Sequence, residues 1–288
     1  MEAVGISIIS KEGERRRCLP LEIRLQMYDD VHKLRKKGLS HRQIQKKIYE
    51  KYGKRISLAQ ICFWINKKHH PLGNINKFND KPSPELAYVI GTKLGDGSIF
   101  SYSKHHGIRL KVNDKEFAEE FGRCLAKVLR RKEPYKPFWS KKHKQWIVEA
   151  CSIQLYKFLD RPLEELKPNI EYSKKTVSAF LRALFDGEGS MYVNKEYHSR
   201  RLELYNANIE LLNYTRYLLK EYFKIDSTKP RISAKKGEKR YFPDRKYYSK
   251  STKNCYCLYI RTNSLLNFYK HIGFTIKRKQ QRLIEAIQ

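Results

Sequence analysis

An internal repeat limits the possible folds of this chain more than any other feature. Asp96-Gly97-Ser98 and Glu188-Gly189-Ser190 stand 92 residues apart, and each follows an apolar, helix-like run, 86–94 in the first copy and 179–185 in the second. Two short alternating runs come next, 99–103 with 108–112 and 191–193 with 202–205. An amphipathic helix follows in each copy. Asp114 is the expected cap for Phe117, Phe121, Leu125 and Val128, and Asn208 for Leu211, Leu212 and Leu218. Two further strands (135–138 with 146–151; 230–233 with 256–260) and a short helix (153–159; 264–269) close each copy. Strand and helix periodicities thus spell α-β-β-α-β-β-α twice. The expected fold class is α+β, with repeats over 84–172 and 173–288.

The first repeat helix has Ser83 as N-cap, Pro84 at its first position and Glu85 against the positive end of its dipole. Gly91 and Gly95 lie on one face, and Ala183 and Gly187 hold the same register in the other copy. A helix-interior glycine costs up to about 1 kcal/mol against alanine. Close packing of the two repeat helices would offset that cost. Parallel helices would then bring Asp96 and Glu188 together at their C-terminal ends, where the dipole already disfavours a carboxylate and the two acids repel. A divalent cation with oxygen ligands, such as Mg²⁺, relieves both problems.

Upstream, Ile23, Met27, Val31 and Leu34 recur at helical spacing, and Gly38 ends that helix. Ser40 opens a second helix with Ile44 and Ile48 on one face. After Gly53, Ser57 opens a third with Leu58, Ile61, Trp64 and Ile65. Residues 1–75 therefore read as a helix-turn-helix-like, DNA-binding module, followed by a linker at 76–83 within a Pro- and Asn-rich stretch. Lys51, Lys54, Arg55, Lys67 and Lys68 stand in its last part without an acid among them, which suits phosphate contacts.

Lys plus Arg is 61 against 30 for Asp plus Glu, a net charge of +31, so a polyanionic partner is expected. Aromatics at 12% exclude a wholly disordered basic tail. No run of about 18 apolar residues suggests a membrane span. The first ten residues lack the order of a secretory signal, and the six cysteines match no zinc spacing, which points to a reducing cytoplasm, nucleoid-associated in a prokaryote. Matching basic hairpins carry seven Lys/Arg in 130–144, including Lys141 and Lys142, and ten in 229–253, including Lys235, Lys236 and Arg240. Strand residues Arg109, Lys111, Arg201 and Glu203 alternate with apolar neighbours and would face a groove where they read base edges.

The nine-residue runs 89–97 and 181–189 resemble the two signature helices of LAGLIDADG homing endonucleases, and the resemblance covers residues 83–288. The N-terminal region looks like the extension of some archaeal intron-encoded members. The resemblance implies a monomer whose two four-stranded sheets form a saddle on duplex DNA. It also implies divalent metal, expected as Mg²⁺, held by Asp96 and Glu188 with the carbonyls of Gly95 and Gly187. The implied reaction is site-specific double-strand cleavage in intron homing. Lys93 and Leu94 depart from the family's usual residues. Asn206 is the candidate for ordering the attacking water, with Asn113 behind it, and Lys277 resembles the lysine some members place near the scissile phosphates. Alternative readings are an RNA-splicing maturase, with intron RNA as a further partner, and a non-cleaving DNA-binding regulator. The retained acids argue against the regulator. An intein is not expected, because the chain has no Cys or Ser after Met1 and no terminal His-Asn.

Overall fold

A computed structural model describes residues 19–71, 78–102, 105–194, 196–197, 199–242 and 247–288. Of Arg240 only the backbone is described, so its expected DNA contact lies outside the described side chains, as residues 1–18 and 72–77 lie outside altogether. The chain divides into two compact units, Met1–Ile75 and Asn76–Gln288.

In the first unit, α1 (Leu21–Lys36), α2 (His41–Tyr52) and α3 (Leu58–Ile65) enclose Met27, Val31, Ile44, Ile48, Ile61 and Trp64. The breaks between them are local chemistry. Ser40 and Gln43 form a reciprocal capping box, Gly53 ends α2 in the left-handed conformation at φ 64°, and the Ser57 hydroxyl accepts the Gln60 N–H. Gln45 of α2 donates 2.6 Å to the Ile56 carbonyl, fixing the turn before α3.

The second unit is two copies of one pattern. The first runs α4 (Pro84–Leu94), β1 (Ser98–Tyr102), β2 (His105–Val112), α5 (Lys115–Val128), β3 (Phe138–Ser140), β4 (Gln145–Cys151) and α6 (Ile153–Leu159), and α7 (Leu163–Ile170) then leads to the second copy. That copy runs α8 (Lys174–Glu188), β5 (Gly189–Asn194), β6 (Ser199–Asn206), α9 (Ile209–Phe223) and β7 (Arg231–Ala234). A separate hairpin, β8 (Lys239–Phe242) with β9 (Tyr247–Lys250), intervenes before β10 (Cys255–Ile260), α10 (Leu265–His271) and α11 (Lys277–Ile287). The four-stranded sheets have equivalent orders, β1-β2-β4-β3 and β5-β6-β10-β7, and all the pairings are antiparallel. One face of each sheet is apolar: Ile108, Leu110 and Val148 in the first and Leu202, Leu204 and Leu258 in the second join a single core with α4 and α8. The opposite faces carry the polar strand residues, the alternation of a sheet covered on one side.

Three details differ from the sequence expectation. The strand expected from Tyr135 starts at Phe138, because Tyr135 donates its N–H to the Gly122 carbonyl and its own carbonyl lies directly against Gly122 on α5. Asp114 does not cap α5. Its carboxylate accepts two bonds, at 2.7 and 2.8 Å, from Arg278 of the other repeat, and such a bidentate, charge-assisted pair outcompetes a backbone N–H. The described residues of the expected linker belong to the second unit, which begins at Asn76. Phe78 packs on the core, the Asn79 N–H reaches the Val128 carbonyl, and Asn169 donates to the Asp80 carbonyl.

Candidate metal and nucleic-acid site

The two repeat helices meet through their small residues. A Cβ on Gly91 would stand 2.5 Å from the Phe180 carbonyl oxygen and 2.9 Å from Ala183 Cβ, so α4 and α8 touch backbone to backbone. Glu188 ends α8 and Asp96 follows α4 by two residues, and each acid is followed by glycine for a steric reason. After Asp96 the chain folds back so that the Gly97 N–H meets the Thr92 carbonyl at 2.7 Å, and a Cβ there would be 2.8 Å from the same oxygen. Gly189, after Glu188, lies as tightly against the Phe185 carbonyl.

The acids cross over. A Cβ on Gly187 would stand 3.1 Å from Asp96 Oδ2, and one on Gly95 would stand 3.5 Å from Glu188 Cγ, so each acidic side chain lies beside the other repeat's glycine. Partial desolvation, reinforced by the charge of Asp96, pushes Glu188 up to about 7. Desolvation likewise raises Asp96, with Lys279 opposing the shift in both acids. Two crowded carboxylates are oxygen donors suited to a hard divalent cation, and the expected carbonyl donors, Gly95 and Gly187, adjoin them in the chain. Among the described residues no group of three or more His, Cys, Asp and Glu side chains could hold a metal, so the remaining ligands would be backbone, water or phosphate.

The lysine beside this pair is Lys279, which the sequence reading missed. It is buried, and its ammonium donates to the Phe185 and Asp186 carbonyls at 3.2 and 2.5 Å, at the end of α8. Burial lowers its pKa to about 8. Ile276, Lys279, Leu283 and Ala286 are all buried, so the signal was a lysine in the apolar register of a helix. Lys277, the expected residue, is exposed at the start of α11. Next to Glu188, Asp186 is buried. Its Oδ1 accepts the Thr275 N–H at 2.8 Å and its Oδ2 the Tyr88 hydroxyl at 2.9 Å, tying α8 to α4 and to the loop before α11. Burial pushes Asp186 up to about 6.

Asn206 is half-buried at the end of β6, where its side-chain oxygen accepts the Asn208 N–H at 2.8 Å, and Asn113 is exposed. Arg109 is partly exposed on the outer face of the first sheet, and Lys111 follows two residues on, toward Asp96, since Ser98 pairs with Arg109. On the second sheet Arg201 is exposed, whereas Glu203 is 9% exposed, with its carboxylate accepting the Tyr205 hydroxyl at 2.5 Å. Glu203 therefore does not stand free as expected, because its neighbours on the same face cover it. Lys141 and Lys142 are exposed in the β3–β4 turn, and Lys235 and Lys236 in the turn after β7. In the first unit Lys54 and Arg55 are exposed before α3 and Lys67 after it.

Residues 175–273 match the LAGLIDADG-like domain. The uncharacterised protein MJ0398 of Methanocaldococcus jannaschii is 36% identical over 271 residues, covering 92% of this chain and 94% of its own length. Among solved structures, the homing endonuclease I-DmoI in complex with DNA and Ca aligns at a TM-score of 0.48 and 15% identity, over 72% of this chain and all of that chain. Full-length DUF199/WhiA from Thermatoga maritima aligns at 0.44 and 20%, over 71% of this chain and 60% of that chain. The paired helices, crossed acids and twin sheets, together with the family match, have one reading: the chain belongs to the LAGLIDADG family.

Proposed function

We propose that this protein is a site-specific, divalent-metal-dependent DNA endonuclease that cuts both strands by phosphodiester hydrolysis, in the manner of a mobile-intron homing enzyme. The observation that carries the reading is the crossed placement of Asp96 and Glu188 at two abutting helix ends. A pure binding protein gains nothing from two crowded carboxylates where phosphates would lie. A divalent cation, with Mg²⁺ the expected one, would polarise the phosphodiester and acidify a water there.

The chain's own groups have separable tasks. Asp96 and Glu188 must both be ionised to bind the cation, and their mutual repulsion drives that binding. Lys279 sets a fixed positive charge behind them and holds the last carbonyls of α8 in place. Asn206 remains the candidate for ordering water, its carbonyl oxygen engaged with the Asn208 N–H. The exposed lysines of the two hairpins, Lys141, Lys142, Lys235 and Lys236, suit phosphate contacts at both ends of a long duplex. The three-helix unit adds phosphate contacts through Lys54, Arg55 and Lys67 and lengthens the site without entering the chemistry.

The test is cleavage of the host locus from which the chain's own coding element has been removed, with and without Mg²⁺. Asp96→Asn and Glu188→Gln are each expected to abolish cutting while target binding persists. Cutting at the wild-type rate by either variant would reject the assignment. Binding without cutting by the wild-type chain would favour the regulator, and selective binding of intron RNA the maturase.

A further inference from the structure

The outer faces of the two sheets share a construction that the cleavage reading does not use. Phe100 on β1 and Tyr192 on β5 are equivalent residues, each two positions after the serine that follows an acid-Gly pair. An arginine guanidinium lies over each ring: Arg109 over Phe100 at 4.9 Å and Arg201 over Tyr192 at 5.0 Å from the centroid. The two arginines reach these rings from different registers. Arg109 pairs across the hairpin with Ser98, two residues from Phe100, whereas Arg201 pairs directly with Tyr192. Each guanidinium also has a carboxylate beside it. Arg109 Nε and Nη2 both lie 2.6 Å from Glu149 Oε2, and Arg201 Nε lies 3.8 Å from Glu203 Oε1. At Arg109 the ring and the hydrogen-bonded carboxylate hold the guanidinium in one orientation and occupy its Nε side, while at Arg201 the ring is in contact and the carboxylate lies near Nε without a hydrogen bond. In both, the far edge of the fork, with its parallel N–H donors, is left for a ligand.

We propose that Arg109 and Arg201 are specificity-determining residues that each read one guanine through the major groove, one in each half of the target. The proposal rests on the DNA reading above and deepens it. Charge separates these arginines from the basic hairpins. A phosphate approaching Arg109 would meet the carboxylate of Glu149, and one approaching Arg201 that of Glu203, so like-charge repulsion disfavours a backbone contact at both. Guanine O6 and N7 are neutral acceptors spaced for a guanidinium fork, and they carry no such penalty. The exposed hairpin lysines suit phosphates instead. Pre-ordering by ring and carboxylate also lowers the entropy lost on binding.

The experiment selects binding sites from a randomised duplex library with the full-length chain in the absence of divalent cation, then repeats the selection with Arg109→Gln and Arg201→Gln. Thermal melting verifies that both variants are folded. The wild-type chain is expected to enrich a long motif. Each variant is expected to lose one guanine preference, worth about fivefold to a hundredfold in affinity, on opposite sides of the motif centre. The salt dependence of binding is expected to keep its slope in both variants. Lys142→Gln, a phosphate contact, is expected to lower the slope by about one and leave the motif intact. Unaltered motifs in both arginine variants, or a uniform loss of affinity with a reduced slope, would overturn the proposal while leaving DNA recognition standing. A wild-type chain that enriches no motif would overturn sequence-specific DNA recognition itself, and the proposal with it.

Discussion

Adding one methyl group at Gly91 tests the central contact of the molecule. In Gly91→Ala the new Cβ would lie 2.5 Å from the Phe180 carbonyl oxygen and 2.9 Å from Ala183 Cβ. The first obstacle is backbone in the middle of α8, so no rotamer change relieves it. The helices must part by at least 0.5 Å to bring that contact to 3.0 Å. Overpacking of this kind costs about 1–3 kcal/mol, and the better helix propensity of alanine returns about 1 kcal/mol. The expected net destabilisation is about 1 kcal/mol, which in a domain of this size lowers Tm by about 2–4 °C. Because Asp96 and Glu188 stand at the ends of the same two helices, the parting also widens the acid pair, and misplacements approaching 1 Å can cost about a hundredfold in rate. Denaturant melts and single-turnover cleavage of Gly91→Ala beside wild type measure both effects. Gly91→Leu should fail to dock its halves. A Gly91→Ala protein that is more stable than wild type and cuts as fast would refute the backbone-contact argument, because only the propensity gain would remain.

Other substitutions separate the remaining contributions. Asp186→Ala removes the acceptor of the Thr275 N–H and the Tyr88 hydroxyl and should cost about 2–5 kcal/mol in a chemical melt; a loss under 0.5 kcal/mol would contradict this role. Burial raises the folded pKa of Asp186 from 3.8 to about 6, so its contribution to stability is fully present below pH 3.8 and is lost as pH rises through 6. The stability of Asp186→Asn relative to wild type should therefore improve by about 1–3 kcal/mol between pH 4 and pH 7, and a flat difference would rule out the charge cost. Ser83→Ala removes the hydroxyl that accepts the Leu86 N–H at 3.1 Å and should destabilise the second unit by about 1 kcal/mol, read from its melting curve. Deleting residues 1–75 should weaken DNA binding and flatten its salt dependence while leaving metal-dependent cutting at high enzyme concentration. An unchanged footprint and slope would make the three-helix unit a packing element.

Features coded by neighbours in sequence were legible before the structure, and those coded by distant packing were not. The Gly91 and Ala183 registers, the serine caps and the acid-Gly pairs are local, and each has the consequence that its spacing implies. Asp114 sits where a cap belongs, yet its partner Arg278 is 164 residues away and no local pattern reveals it. Lys279 lies in a run of like residues, Lys277-Arg278-Lys279, in which only the helical period singles out the one that faces the core. Glu203 alternates like a solvent-facing strand residue, but Tyr205 on the same face covers it. The β8–β9 strands lie inside the basic stretch 229–253, where lysines and tyrosines interleave without the apolar alternation that would have marked two further strands.

The contact between Gly91 and the Phe180 carbonyl also bears on how such a chain can change over generations. Where two helices meet through side chains, their separation is written in residue volumes, and every accepted substitution redraws it. Here the separation is written in main-chain atoms, which mutation does not alter. Core residues around α4 and α8 can drift, exchange sizes and compensate one another while the two carboxylates keep their spacing. The positions that cannot drift reduce to a few glycines and alanines, so a lineage can lose most of its sequence likeness and still inherit the distance between its acids.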